Sequence, residues 1–303
     1  MSFKIFAPAT IGNVASGFDV LGLAVDGLGD YFTCTPQSHY EILVSGRDAD
    51  LVPLDPLHNT VSIAAEAFYR FLGVGSRGFK VHIERALPLA GGLGSSAASS
   101  VAGALAAAEI TGSRHRSDLV LRAALHAEGV VAGPHLDNIA PCFYGGLTLV
   151  QDTEALSVYQ IPIQMELWIT LVTPPIKIKT KDARRVLPEH LKTEQWTKQM
   201  AHCTTLALAL ARGDHEQLAF GLRDTFAEPA RGPLIPGFLA AQKASIDAGA
   251  YGFSISGSGP TCFALTPRAE VAHAVSRRLL EIFGSAAQVH VVQPRRQGAE
   301  IFL

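Results

Sequence analysis

The stretch PLAGGLGSSAASS, residues 88–100, holds three glycines and four serines in thirteen positions and runs directly into a tract of alanines. Gly91, Gly92 and Gly94 carry no side chain, so backbone N–H groups there can come close to an anion. Ser95 and Ser96 fall where the alanine tract would start a helix. Unpaired N–H groups and the positive dipole end at such a start favour phosphate. A serine hydroxyl in that place can bind a phosphate oxygen or a Mg2+ ion. The stretch lacks the lysine of a GxxxxGK[ST] loop. Nor does it fit a GxGxxG dinucleotide site with an acidic residue after the next strand. The plain alternative is a glycine loop capped by Ser95, with alanine packing behind it.

Other polar segments carry candidate groups. APATIGNVASGFDVLGLAV, residues 7–25, holds Asn13 and Asp19. In a cleft they would bind a hydroxyl or an ammonium group; otherwise they form an Asx-turn loop. SISGSGPT, residues 254–261, holds Gly257 in a turn between two strands, for which a tight hairpin is a sufficient account. Glu128 stands at a helix end before Gly129 and would offer oxygen to Mg2+; taken alone it is a solvated acid. His135 and Asp137 have a His-x-Asp spacing too sparse to define a metal site. With Asn138 they could equally form a turn before Pro141.

These groups need elements to hold them. Phe3–Phe6 reads as a strand ended by Pro8, and 30–35, 40–44 and the alternating 79–85 as further strands. Asn59 caps a helix to Leu72. Residues 97–110 form a helix stopped at Thr111-Gly112, and Ser117 caps another to about Glu128. Strands return at 147–151, 158–163 and 166–172, and helices follow near 181–187, 191–212 and 214–226. The last part reads helix 238–248, strand 251–256, strand 262–265, helix 268–283 and strand 288–292. Strands and helices mix without steady βαβ alternation, so the expected class is α+β. A boundary falls near 150–160, giving domains 1–155 and 156–303.

The 303 residues are 48% hydrophobic with a net charge of -2, enough for a large core and too neutral for a nucleic-acid surface. Cys34, Cys142, Cys203 and Cys262 are scattered with no CxxC pair, as expected of reduced thiols rather than disulfides or a zinc site. The N-terminus reaches proline too soon for a signal-peptide core. The mild apolar run 97–108 is too short to span a bilayer. A soluble cytoplasmic protein, with no nucleic-acid or membrane partner, is the expectation.

PLAGGLGSSAAS resembles the central motif of the GHMP kinases, the superfamily of galactokinase, homoserine kinase, mevalonate kinase and phosphomevalonate kinase. SISGSGPT resembles the third motif of that superfamily. The 7–25 segment is similar to the homoserine kinase form of the first motif, with PAT, an Asn and GFDxLGxA. It lacks the basic residue and Gly-Glu-His element of the mevalonate kinase and galactokinase forms. All three motifs stand in order over almost the whole chain.

The resemblance implies a ribosomal-protein-S5-like β-α domain with a left-handed crossover, followed by a ferredoxin-like α+β domain. It implies ATP wrapped by Pro88, Leu89, Ala90, Gly91, Gly92, Leu93, Gly94, Ser95, Ser96, Ala97, Ala98 and Ser99. Mg2+ would be held by Glu128 with Ser96 or Ser95, and the acceptor would be the side-chain hydroxyl of L-homoserine. The carboxylate of an amino-acid substrate wants arginine's planar fork. Arg184 in KTKDARRVLP and Arg231 in AEPARGPLIPG match segments that supply it in the family. Thr180, Asn13, His135 and Gly257 complete the substrate side, with Asp19 as the ammonium partner. Asp137 and Asn138 both stand beside the reacting groups, and the general base is left open among Asp137, Asn138 with water, and none. A homodimer is also implied. The alternatives are a GHMP kinase for another small alcohol, and an inactive GHMP-fold binding protein. Intact GLGSSA and Glu128 argue against the second.

Overall fold

The computed structural model describes residues 1–303. β1 (Phe3–Gly12) and β2 (Leu21–Pro36) run antiparallel. β1 does not stop at Pro8. The register shifts between Pro8 and Thr10, and at such an irregularity the missing proline N–H costs no ladder bond. β3 (Glu41–Gly46) and β4 (Phe79–Arg85) pair in parallel, joined by α1 (Thr60–Leu72). Asn59 caps α1 as expected, its side chain accepting the Val61 N–H at 3.0 Å.

α2 (Ser95–Ile110) is the alanine tract. It is buried nearly all round, against α1, β1 and α3 (Ser117–Val131). A Cβ on Gly103 would stand 2.0 Å from the Val61 carbonyl, so small residues are what the α1 contact admits. α3 runs past Glu128, which therefore lies in its last turn rather than at its end. Ser117 is its first residue but makes no capping bond. α4 (Ile139–Tyr144) was not foreseen in the sequence.

β5 (Leu147–Asp152) and β6 (Ser157–Ile161) form a hairpin whose first strand pairs β2. β7 (Trp168–Thr173) opens the second sheet. α5 (Thr180–Arg185), α6 (Thr193–Arg212), α7 (His215–Gly221), α8 (Ala227–Arg231) and α9 (Phe238–Asp247) follow. The single helix expected over 214–226 ends early. The Asp224 carboxylate accepts the N–H groups of Phe226, Ala227 and Glu228 and starts a new turn there. β8 (Gly252–Ile255), β9 (Cys262–Thr266), α10 (Ala269–Phe283), β10 (Gln288–Val292) and β11 (Glu300–Phe302) complete the chain.

The first sheet runs β11-β1-β2-β4-β3, with β5 on β2 and β6 outside it; the second runs β10-β7-β9-β8. In the second sheet, strand, helices, two strands, helix and strand give the ferredoxin-like split βαβ pattern. A cut at 155 would divide the β5–β6 hairpin, and β11 returns to the first sheet from the far end of the chain. One apolar core also runs from beneath the first sheet to Ile169, Leu171, Phe263 and Leu265 of the second. No helix is long and apolar enough to cross a membrane.

Candidate active site

The two sheets meet where the β8–β9 turn docks on the phosphate loop. Ser256 Oγ donates to the Gly92 carbonyl at 2.5 Å, Thr261 N–H to Gly91 at 3.1 Å, and Gly257 N–H to Gly12 at 3.0 Å. From the first sheet, Thr10 N–H donates to Leu93 at 3.2 Å. Gly92 and Gly94 take φ of 83° and 68°, and Ala90, without glycine's freedom, takes 53°. At Gly94 a Cβ would also lie 1.9 Å from Thr10 Oγ1, so both the turn and the close approach demand glycine. The first α2 bond runs from Ala98 N–H to the Gly94 carbonyl. The N–H groups of Ser95, Ser96 and Ala97 thus form the open helix start.

Most of the expected loop residues line one cleft, from Pro88 through Gly92 and from Gly94 to Ser96. Leu93, Ala97, Ala98 and Ser99 do not: their side chains turn into the core. What these four could offer an anion is therefore backbone rather than side chain. The same cleft takes Asn13, Asp19, Glu128, His135, Asp137, Asn138, Thr180, Arg184, Arg231 and Gly257.

The two serines separate. Ser96 Oγ donates to Glu128 Oε2 at 2.7 Å. Ser95 Oγ instead accepts from Arg85 Nη2 at 2.8 Å. Burial holds the Glu128 carboxyl up at about 7, opposed by the Ser96 hydrogen bond. The chain gathers no three His, Cys, Asp or Glu side chains into a cage. One carboxylate and one hydroxyl beside an anion-receptive helix start fit Mg2+, which completes its shell with phosphate oxygens and water.

The first motif is a strained turn. Asn13, Val14 and Ala15 have φ of 68°, 44° and 61°, and Asp19 has 56°. Asn13 Oδ1 accepts the Asp19 N–H at 3.0 Å, and its Nδ2 donates to the Gly257 carbonyl at 2.9 Å. Asn13 therefore spends half of its side-chain hydrogen-bonding capacity on holding the turn and has one N–H and one oxygen lone pair left for a ligand. Asp137 is buried, and its Oδ2 accepts the Asn13 backbone N–H at 3.2 Å and Asn138 Nδ2 at 3.3 Å. Thr10 Oγ1 donates to Asn138 Oδ1 at 2.8 Å. Burial, then the negative charge of Asp19, raises the Asp137 carboxyl to about 7.

At the far end Arg184 Nη2 reaches both oxygens of Asp19, at 2.9 and 3.0 Å. Asp19 is thus already paired, which the sequence reading of it as an ammonium partner did not anticipate. His135 Nδ1 lies 3.6 Å from Asp19, and burial lowers the histidine's pKa. Arg231 is buried, donating through Nε to the Ala183 carbonyl at 3.0 Å and through Nη1 to Gly257 at 2.8 Å. Burial and the nearby Arg184 both depress its pKa, so the pocket favours an added anion. Phe18 lies between the arginines, 5.5 Å from Arg184 and 5.2 Å from Arg231 by guanidinium-to-ring distance. Thr180 Oγ1 stands 3.4 Å from Ser258 Oγ.

Sequence reasoning missed Thr10, Phe18, Arg85 and Ser256. It also missed Gly12 and Gly22. A Cβ on Gly12 would meet Asn138 Nδ2 at 2.3 Å, and one on Gly22 the Asp137 carbonyl at 1.8 Å. Glycines inside strands were the available signal, since they mark close approach.

A phosphate-receptive helix start facing half-buried Arg184 and buried Arg231 across one cleft is the arrangement of a small-molecule kinase. Family models agree: residues 59–146 match the GHMP kinases N terminal domain and 206–285 the GHMP kinases C terminal. A homoserine kinase of Pyrococcus abyssi is 39% identical over 266 residues, covering 88% of this chain and 88% of that protein. A crystal structure of homoserine kinase from Cytophaga hutchinsonii superposes with a TM-score of 0.92 at 37% identity, covering 99% of this chain and 97% of that one. A mevalonate kinase of L. major in complex with R-mevalonate shares the fold alone, with TM-score 0.70 at 16% identity over 96% of each chain. The chain belongs to the homoserine kinase family of the GHMP kinases.

Proposed function

We propose that the protein transfers the γ-phosphoryl group of ATP to the side-chain hydroxyl of L-homoserine. The products are O-phospho-L-homoserine and ADP, on the route to threonine. The observation that carries this reading is the shared cleft, with the helix start, Ser96 and Glu128 at one end and Arg184 and Arg231 at the other.

The loop N–H groups and the α2 start bind the phosphates. Ser96 and Glu128 would hold Mg2+, which when bound neutralises charge on the transferred group. Arg231 Nη2 and Arg184 take the substrate carboxylate. The zwitterion exchanges with the resident ion pair: its carboxylate draws Arg184, and its ammonium takes over Asp19. Phe18 keeps the guanidinium planes facing the pocket. The substrate hydroxyl oxygen then bonds to the γ-phosphorus as the bond to the β–γ bridging oxygen breaks. Asp137, its carboxyl raised to about 7, is suited in its ionised form to accept the hydroxyl proton. Asn138, fixed by Thr10, points its amide at the same place.

The test is ADP release with Mg-ATP against L-homoserine, D-homoserine, L-serine, L-threonine, mevalonate and galactose. Stereoselective turnover of L-homoserine is expected. Preference for another alcohol would remove the substrate and leave the superfamily. We also propose a cytoplasmic homodimer, which light scattering on the purified protein checks for its oligomeric part.

A further inference from the structure

Behind the phosphate loop lies a buried charged cluster. Arg85 is the last residue of β4 and 6% exposed. Its Nη2 donates to the Leu87 carbonyl at 3.0 Å and to Ser95 Oγ at 2.8 Å, and its Nε to the Arg47 carbonyl at 3.1 Å. Leu87 precedes the loop and Ser95 follows it. One nitrogen therefore ties together both stems of the intervening segment. Asp30, fully buried, adds a second tie, its Oδ1 accepting the N–H groups of Ala86 at 2.8 Å and Leu87 at 2.9 Å. Asp48 Oδ2 holds the next N–H, that of Leu89, at 3.0 Å.

The guanidinium can only donate, so Ser95 Oγ is the acceptor in its contact with Arg85. Ser95's own proton is not used in that contact, and the residue lines the cleft. A hydroxyl that accepts from a cation is a stronger donor and a poorer ligand for a second cation. We infer that Arg85 is a positioning residue: it sets the span of the phosphate loop and fixes Ser95 as a hydrogen-bond donor to a phosphate oxygen, leaving Ser96 as the serine for the metal. This inference rests on the proposed ATP-dependent reaction.

Arg85→Met, Arg85→Lys, Ser95→Ala and the Arg85→Met/Ser95→Ala double variant test it, with ATP binding by calorimetry and steady-state kinetics. Wild-type protein is titrated with ATP first; no binding would bring down the kinase reading itself, before any variant is compared. Each single variant is expected to raise the KM for ATP roughly tenfold or more, the scale of one charge-assisted hydrogen bond. The KM for L-homoserine should stay within about twofold. Arg85→Lys should recover only part of the loss, because an ammonium lacks the fork. The double variant should be no worse than Arg85→Met. The half-saturating Mg2+ concentration should be unmoved in Ser95→Ala. Multiplying effects in the double variant would overturn the inference. So would a Ser95→Ala defect relieved by excess Mg2+, or an Arg85→Met protein that loses Tm but keeps its KM for ATP. If Arg85→Met does not fold, Ser95→Ala decides alone through the Mg2+ dependence and the KM split.

Discussion

The two ends of the cleft are prepared differently. At the phosphate end the donors are backbone N–H groups and a helix start, fixed by hydrogen bonds from both sheets. Nothing there has to let go before an anion binds. At the substrate end the charges already satisfy one another, since Asp19 and Arg184 pair at 2.9 Å. A zwitterion there must replace one ion pair by two. The first end is preorganised by backbone conformation and hydrogen bonds already made, whereas the second is reached by exchange of partners. Binding energy at the first end is fully available to hold the transferred group, whereas at the second part of it goes to separating the resident pair.

Substitutions should break this contrast unequally. Glu128→Gln removes the carboxylate that meets Ser96 while keeping its shape. We expect kcat/KM to fall on the order of a hundredfold or more, the scale of a lost electrostatic stabiliser in the reacting site. Turnover equal to wild type would dismiss the magnesium role. Gly94→Val forces a branched residue to φ 68° and onto Thr10 Oγ1. The ATP affinity should drop by about tenfold or more, with homoserine binding changed less; equal losses at both ends would show the ends are not independent. Arg231→Ala should raise the KM for homoserine at least about tenfold with little change for ATP, because a buried, hydrogen-bonded charge is lost. An unchanged KM would remove the carboxylate clamp. Asp19→Asn should have a weaker effect, since freeing Arg184 from its partner offsets part of the lost ammonium contact. Steady-state kinetics on the two variants side by side reads this directly.

Legibility followed the same division. The loop and its helix were readable because glycine and alanine have local reasons to be where they are: backbone freedom, an open helix start and close packing under α1. Glu128 was readable as an acid on a helix, though not that α3 carries it in its last turn. The substrate end was less readable. That Asp19 meets Arg184, or that Phe18 lies between two arginines, depends on contacts between residues more than 150 positions apart, which no local pattern encodes. Arg85 was invisible for a different reason: its partners Leu87, Ser95 and Arg47 are nearer in sequence but meet it only once the loop is folded, and in sequence it is only the polar end of an alternating strand. The boundary expected near 155 falls in a hairpin turn, because the pairing of β5 with β6 is a tertiary contact that no shift in composition reports.

The smallest effect expected is the dependence on pH. Glu128 and Asp137 both have carboxyls raised to about 7, chiefly by burial. Their folded pKa values lie above the unfolded ones, so the fold binds protons more tightly than the open chain. The stabilisation from this source is complete below about pH 4 and is lost as pH rises through 7. Ligand binding should run the other way, since a cation at Ser96 and Glu128 favours the ionised carboxylate. Mg-ATP binding should release a proton near pH 6.5, and its affinity should rise by no more than about tenfold between pH 6 and pH 8. Calorimetry in buffers of different ionisation enthalpy counts that proton. ATP without Mg2+ should release fewer, because the loop N–H groups do not titrate and the added phosphate charge opposes ionisation of Glu128. Equal proton release with and without Mg2+ would mean that Glu128 does not meet the metal. The phosphate end would then owe its preparation to the backbone alone.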